Sequence, residues 1–321
     1  MRFIDAAEVA HVLSFPDLVD DLDVAFRSSI ITPVRHHHAI AKAGEPDATL
    51  LLMPAWDNMA VAVGDGAVIG VKIVTVTPGN AARIGSIPSV VGAYLLLSGE
   101  TGVPLAVIDG TALTLRRTAA ASALAARHLA RPDARRLVMV GAGALAPHLV
   151  AAHASVRPIR QVIVWNHHAE RAEALASRLV AKGFNAMATT NLAGAVESAD
   201  IVSVATLSHK PLVHGRWLQP GTHLDLVGAF TPEMRESDDL AVSRARVFVD
   251  TRAGALKEAG DIVQPVRAGV ISQSDILGDL FDLCRGLHPG RQATDDITLF
   301  KSVGTALEDL AAAKAVWSRL G

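Results

Sequence analysis

Cysteine is almost absent. Cys284 stands alone, so no disulfide can form within the chain. A single thiol with no activating motif beside it reads as a small buried apolar residue, not a nucleophile. Aromatic residues are scarce at 4%, and Ala, Val and Leu fill their place, which suits helices packed on a parallel sheet. An excess of either charge is missing too. The net charge of −2 gives no basic field for nucleic acid and no polybasic anchor for a membrane. No run of about 18 apolar residues is available to span a bilayer. The opening MRFIDAAEVAHVL lacks the charged-then-apolar pattern of a secretory signal, so a cytoplasmic location is the expectation.

Clustered metal ligands are also lacking. His36, His37 and His38 are consecutive and cannot all face one ion from a strand. No second group of Cys, His and Asp at ligand spacing accompanies them, so no metal is expected. The three histidines read as structural or substrate-proximal.

What the chain does contain changes texture near residue 112. At 321 residues it exceeds what one core usually supports, and two domains are expected. Residues 5–30 show helical spacing at Val9, Val12 and Leu13, with Pro16 opening a second turn. Short β-rich runs follow: HHHAIAK, ATLLLMPAW, AVIGVKIVTV and SVVGAYLLLS, with GETG as a hairpin turn before PLAVID. TALTLRRTAAASALAARHLA (111–130) predicts a long helix. Beyond it strand and helix alternate through RLVMV, QVIVW, DIVSVAT, HLDLVG and RVFVD, the pattern of βαβ units on a parallel sheet. A C-terminal helix closes the chain.

The strongest local motif is VMVGAGALA. Gly141, Gly143 and Ala146 occupy the small positions of a G-x-G-x-x-A turn leaving a strand and entering a helix. Such a turn lets the backbone of Gly141, Ala142, Gly143, Ala144 and Leu145 approach a pyrophosphate, whose charge the helix N-terminus favours. The spacing alone is a weak signal; the flanking apolar strand, the helix and a second strand ending at Trp165 strengthen it. NAD sites usually end that second strand with Asp or Glu. Here it ends in Asn166-His167-His168, with Arg171 one turn on, a combination that favours NADP over NAD.

Three kinds of cation sit in unusual places. Lys72 interrupts an apolar strand, where an ammonium without a partner is costly. Arg35 precedes a β-like segment, on the same face as His37. Arg116 and Arg117 lie early in the Ala-rich helix, near its positive end. Singly each has an ordinary explanation: a snorkelling lysine, an exposed loop charge, an ion-paired arginine. Together they point to an anion held between them.

The ordered segments resemble the ornithine cyclodeaminase/μ-crystallin family over nearly the whole chain. The stretches that carry the likeness are PVR (33–35), LMP (52–54), GVKIVTV (70–76), PSVVGAYLLL (88–97), RTAAASALAA (117–126), VGAGALA (140–146), EAGDI (258–262) and ITLFKSVGTALEDLAAAK (297–314). The resemblance implies an α/β protein: a Rossmann dinucleotide-binding domain (113–299) inserted into an α+β substrate-binding and dimerisation domain (1–112 plus 300–321). It implies a homodimer, and a substrate carboxylate held by Arg35, Lys72 and Arg117 over the nicotinamide. Lys72 is the candidate catalytic residue. Thr118 matches a pyrophosphate contact, beside Arg117. Ser89 and Val303 match positions near the nicotinamide, and Ala205, Thr206 and Leu207 match a cofactor-lining strand end.

One departure bears on chemistry. Cyclodeaminases of this family carry an Asp in the loop that here reads DLVGAFTPEMRE, and alignment on Gly228 and Pro232 puts Phe230 there. A phenyl ring can neither accept a proton nor pair with an ammonium. The sequence therefore resembles the branch that reduces preformed cyclic imines, Δ1-pyrroline-2-carboxylate or Δ1-piperideine-2-carboxylate, to L-proline or L-pipecolate with NADPH preferred and NADH possible. Ornithine or lysine cyclodeaminase, alanine dehydrogenase, cis-3-hydroxyproline dehydratase and a non-catalytic NADPH-binding protein are the alternatives.

Overall fold

A computed structural model of the chain describes residues 1–60, 66–82 and 90–321, without the side chains of Ala81 and Ala82. It forms two compact units, Met1–Arg117 with Thr305–Gly321, and Thr118–Gly304. These units divide the chain after Arg117 and after Gly304, where the expected domain bounds are 112 and 299.

The first unit opens with strand β1 (Arg2–Ile4), then helices α1 (Ala6–Val12) and α2 (Phe15–Arg27). Asp5 and Glu8 close a reciprocal capping box at α1, and Ser14 caps α2 just ahead of Pro16. Leu18, Val19, Leu22, Ala25 and Phe26 form the buried stripe of α2. Strands β2 (His36–Ile40), β3 (Ala48–Trp56), β4 (Val68–Val76), β5 (Val90–Ser98) and β6 (Pro104–Asp109) complete a six-stranded sheet in the order β1-β6-β5-β4-β3-β2. All neighbours are antiparallel except β1, which lies parallel to β6. Along β4 the burial alternates: Val68, Gly70, Lys72 and Val74 are buried, while Ile73 and Thr75 are exposed. Lys72 thus shares its face with core residues. Helix α3 (Gly110–Leu129) then carries the chain into the second unit.

There strand and helix alternate: β7 (Arg136–Val140), α4 (Ala146–Val156), β8 (Gln161–Trp165), α5 (Ala169–Ala181), β9 (Ala186–Ala188), α6 (Leu192–Glu197) and β10 (Ile201–Val204). The run continues with β11 (His223–Leu226), α7 (Asp239–Arg244), β12 (Arg246–Val249), α8 (Arg252–Glu258), α9 (Gly260–Arg267), β13 (Ile276–Asp279), α10 (Leu280–Cys284) and β14 (Thr298–Lys301). The eight strands are all parallel, in the order β13-β12-β14-β11-β10-β7-β8-β9. Strand order reverses at β7, which places the crevice of this Rossmann-type sheet beyond the carboxyl ends of β7 and β10. The fully buried strands β10, β11 and β14 make an apolar run with Val202, Leu224 and Leu299 at its centre. Finally α11 (Ala306–Leu320) returns to the first unit and packs on β3, β4 and α2. Among the described residues no helix is long and apolar enough to cross a membrane.

The strands β1, β9, β13 and β14 go beyond the sequence pattern. β9 has only three residues, and β14 (TLFK) runs straight into the tract before α11, where alternation is too short to register. Cys284 is buried.

One buried carboxylate ties the second unit together. Asp225 on β11 accepts from Ser122 of α3 at 2.9 Å and Ser203 of β10 at 2.7 Å, and lies 3.1 Å from His153 of α4. Burial works against its charge, but His153, His223 and Ser203 hold the carboxyl below its ordinary range. Asp225→Ala strands two hydroxyls and an imidazole at once, so urea unfolding should show a loss of at least about 2 kcal/mol. A loss under about 0.5 kcal/mol would contradict this account.

Candidate functional site

In the first unit, the cation cluster is built on carboxylates that the sequence reading did not single out. Glu308 and Asp309 stand in the first turn of α11, both fully buried. Lys72 Nζ lies 2.7 Å from Asp309 Oδ2, and Arg117 Nε lies 2.9 Å from Asp309 Oδ1. Arg117 Nη1 donates to Glu308 Oε2 at 2.6 Å. Asp309 therefore bridges the two cations, and Lys72 and Arg117 are paired within the chain.

Burial pushes the Lys72 ammonium down to about 8. The charge of Arg117 acts in the same direction, Asp309 opposes it, and Arg35 adds to the lowering. Burial also works to raise the Asp309 carboxyl, but Arg117 and Lys72 hold it below its ordinary value. Arg35 is half-buried just ahead of β2, near enough for its field to reach both Lys72 and Asp309. The structure thus brings Arg35, Lys72 and Arg117 into one electrostatic group.

Arg116 does not join them. Successive helical residues point about 100° apart, and Arg116 instead donates to the Leu13 carbonyl, with its guanidinium 5.5 Å from the centre of the Phe15 ring. The arginine pair divides between two faces of α3. The histidine run lies on edge strand β2, exposed throughout. A further neighbour is Tyr94, the register partner of Lys72 on β5. It is fully buried, its hydroxyl has no hydrogen-bond partner among the described residues, and burial followed by the Asp309 charge keeps it protonated.

In the second unit the glycine turn has the shape expected of an anion cradle. Gly141 has φ 107°, a conformation that L side chains rarely adopt, and a Cβ there would collide with the Ala205 carbonyl. Helix α4 has no side-chain cap, and the N–H groups of Gly143, Ala144 and Leu145 meet no acceptor among the described residues. That leaves uncompensated donors at the positive end of an eleven-residue helix, which fits a pyrophosphate. Asn166 closes the turn: its Oδ1 accepts from Ala142 N at 3.2 Å and its Nδ2 donates to the His168 carbonyl. His167, His168 and Arg171 are exposed beyond it, with Glu170 3.8 Å from His168.

The remaining expected positions fall around this turn's unit. Ala205 and Thr206 are half-buried at the end of β10, and Leu207 is exposed. Val303 N donates to Asp250 Oδ2 at 2.7 Å. Thr118 is half-buried, next after Arg117 on α3. Ser89 lies outside the described residues. Phe230 is 39% exposed in the loop after β11, whereas Asp225 is sealed in its strand with three partners and cannot serve in its place.

A doubly wound parallel sheet with an uncapped helix behind a glycine turn defines a Rossmann-type dinucleotide-binding protein. The chain belongs to the ornithine cyclodeaminase/mu-crystallin family, whose model matches residues 2–321. A Paracoccus denitrificans protein named Delta(1)-pyrroline-2-carboxylate reductase is 39% identical over 317 residues, covering 96% of this chain and 94% of the relative. The structure of Thermococcus litoralis Delta(1)-pyrroline-2-carboxylate reductase with NADH and L-proline matches with TM-score 0.92 at 31% identity, over 99% of this chain and 97% of that one. An archaeal alanine dehydrogenase dimer with bound NAD matches with TM-score 0.89 at 29% identity, over 99% and 95% of the two chains.

Removing the bridging charge should be expensive. Asp309→Asn leaves two buried cations short of a counter-ion, and urea unfolding should show a loss of about 3–5 kcal/mol. Since the folded carboxyl lies below its ordinary value, this contribution is complete above that value and fades as pH falls below it. Wild-type stability in Asp309→Asn at neutral pH would remove Asp309 from the role assigned to it.

Proposed function

We propose that this chain reduces the C=N bond of a cyclic 2-imino acid, Δ1-pyrroline-2-carboxylate or its six-membered homologue, to L-proline or L-pipecolate, with NADPH as the preferred reductant. The observation that carries the reading is the convergence of Lys72 and Arg117 on Asp309, within the field of Arg35. The naming of the Paracoccus and Thermococcus relatives as reductases of this substrate supports it.

Each residue has a defined task. An ammonium has three N–H groups and a guanidinium five, and Lys72 and Arg117 meet Asp309 and Glu308 with some of theirs. With Arg35 they grip the substrate carboxylate and fix its orientation. When bound, the reduced nicotinamide supplies the hydride. The imine nitrogen must gain a proton for its carbon to accept that hydride well. Lys72, at about 8, is the matched donor, and His37 is a second candidate relay. Phe230 stands where a cyclodeaminase has a carboxylate, which disfavours deamination of ornithine.

The cofactor choice rests on the end of β8. Asn166 is uncharged, and His167, His168 and Arg171 follow it, so the 2′-phosphate of NADPH meets potential cations. The Thermococcus reductase holds NADH and the archaeal dehydrogenase NAD, so this preference is read from this chain's own residues. A homodimer is supported by the apolar residues Ile73, Val90 and Val91 exposed on the first unit's sheet. The solution mass tests it.

The decisive assay follows NADPH and NADH oxidation with five- and six-membered cyclic imines, ornithine, pyruvate plus ammonia, and cis-3-hydroxyproline. The reading expects turnover of a cyclic imine, with NADPH favoured by about tenfold or more in kcat/KM. Faster turnover of pyruvate plus ammonia would favour the alanine dehydrogenase reading instead. Lys72→Ala should lower kcat/KM by about 100-fold or more. In the wild type kcat/KM should fall as pH rises through about 8, because the proton that Lys72 carries is lost there. A flat profile from about pH 7 to 9.5 would count against Lys72 as the donor.

A further inference from the structure

A second buried charge cluster lies in the Rossmann unit, apart from the glycine turn. Glu236, between β11 and α7, is fully buried. Its Oε1 accepts from the backbone N–H of Thr206 at 2.7 Å and from the Thr206 hydroxyl at 2.8 Å. Its Oε2 accepts from the N–H groups of Gly228 at 2.7 Å and Ala229 at 3.2 Å. One carboxylate therefore ties together the two loops that leave the adjacent parallel strands β10 and β11.

Glu236 is itself held in place. Asp261, the second residue of α9, accepts at Oδ1 from Glu236 N and Ser237 N, each at 2.9 Å. Lys301, the last residue of β14, lies 4.0 Å from Glu236 and 3.9 Å from Asp261, and donates to the Leu226 carbonyl at 3.2 Å. Gly228 fits closely against this group, since a Cβ there would collide with both Thr206 and Glu236. Two carboxylates and one ammonium are an expensive set to bury in a sheet that its own strand ladders already hold. That expense is understandable if the loops themselves must be fixed.

The sheet says what the loops serve. A dinucleotide lies across the point where strand order reverses, with its pyrophosphate at the turn after β7. A dinucleotide bound there with its adenosine half towards β8 would set its nicotinamide half towards β10 and β11, which flank β7 on the other side. We propose that Glu236 is a positioning residue: its ionised carboxylate sets the backbone of Thr206, Gly228 and Ala229 that receives the nicotinamide half of the dinucleotide. The inference rests on the reading of this unit as a nicotinamide dinucleotide site.

A pH dependence follows. Burial pushes the Glu236 carboxyl up to about 7, Lys301 opposes the rise, and Asp261 adds to it. The charged groups facing it are Lys301 from β14 and Asp261 from α9. The ends of β10 and β11 present Thr206 and main-chain N–H groups. Arg235, next in the chain, turns away to the Ser237 carbonyl and Asp239. A protonated carboxyl has a donor where an acceptor is required, so the clamp loosens as pH falls through neutrality.

The test compares two ligands on the full-length protein by fluorescence or calorimetric titration: NADPH, and 2′-phospho-ADP-ribose, which lacks the nicotinamide. Glu236→Gln keeps the shape but turns an amide donor on N–H groups. It should raise the Kd for NADPH about tenfold near pH 8, leave the 2′-phospho-ADP-ribose Kd within about twofold, and abolish the weakening that wild type shows near pH 6. Equal weakening of both ligands, or NADPH binding with wild-type affinity and pH dependence, would overturn the inference. Should Glu236→Gln fail to fold, Thr206→Val decides: a selective loss of NADPH affinity supports the clamp, and no selectivity overturns it. If wild type binds neither ligand, nor NADH, the dinucleotide reading falls and this inference with it.

Discussion

Asp309 is the constraint on which the first unit's buried cations depend. Two cations on different elements, Lys72 on β4 and Arg117 on α3, would repel each other at this range without the carboxylate between them. Asp309 comes from α11, the last helix of the chain, which packs on β4. Helix α11 thus brings Lys72 and Arg117 together. It also tunes Lys72, because burial and Arg117 pull the ammonium down to about 8 while Asp309 keeps it from falling further. An amine so poised can both bind an anion and yield a proton near neutral pH.

The second unit uses the same device for a different purpose. In the Glu236–Asp261–Lys301 group the carboxylates spend their lone pairs on main-chain N–H groups at 206, 228, 229, 236 and 237. Asp225 does so with side chains from α3, α4 and β10. In both units buried carboxylates join elements far apart in the sequence. The start of α4 has no side-chain cap, and there the unmet donors suit a ligand.

Backbone-level features were legible in the sequence. The parallel alternation, the long α3 and the glycine turn depend on local pattern, and local pattern is what a sequence displays. Lys72 stood out because an ammonium in an apolar strand breaks its surroundings. Its partners stayed hidden for the converse reason. Glu308 and Asp309 open a helix, where acidic residues are ordinary, so nothing marks them as buried. Lys301 ends a four-residue strand that reads as the approach to α11, and Glu236 and Asp261 sit among other charges in RESDD and EAGDI. Their pairing spans tens to hundreds of residues and exists only once β14 lies between β11 and β12. By charge pattern alone Arg116 and Arg117 are equivalent, because a pair of letters does not display the helical rotation that separates them; only the family resemblance singles out Arg117.

The central claim is that a substrate's carboxylate is gripped by Arg35, Lys72 and Arg117. The most direct measurement compares turnover of a cyclic imine carboxylate with that of its neutral carboxamide, which matches it in shape and differs in charge. The account predicts that the carboxamide loses about 100-fold or more in kcat/KM, an effect of roughly 3 kcal/mol, and that the gap narrows sharply in Lys72→Ala. Equal turnover of acid and amide by the wild-type chain would contradict it.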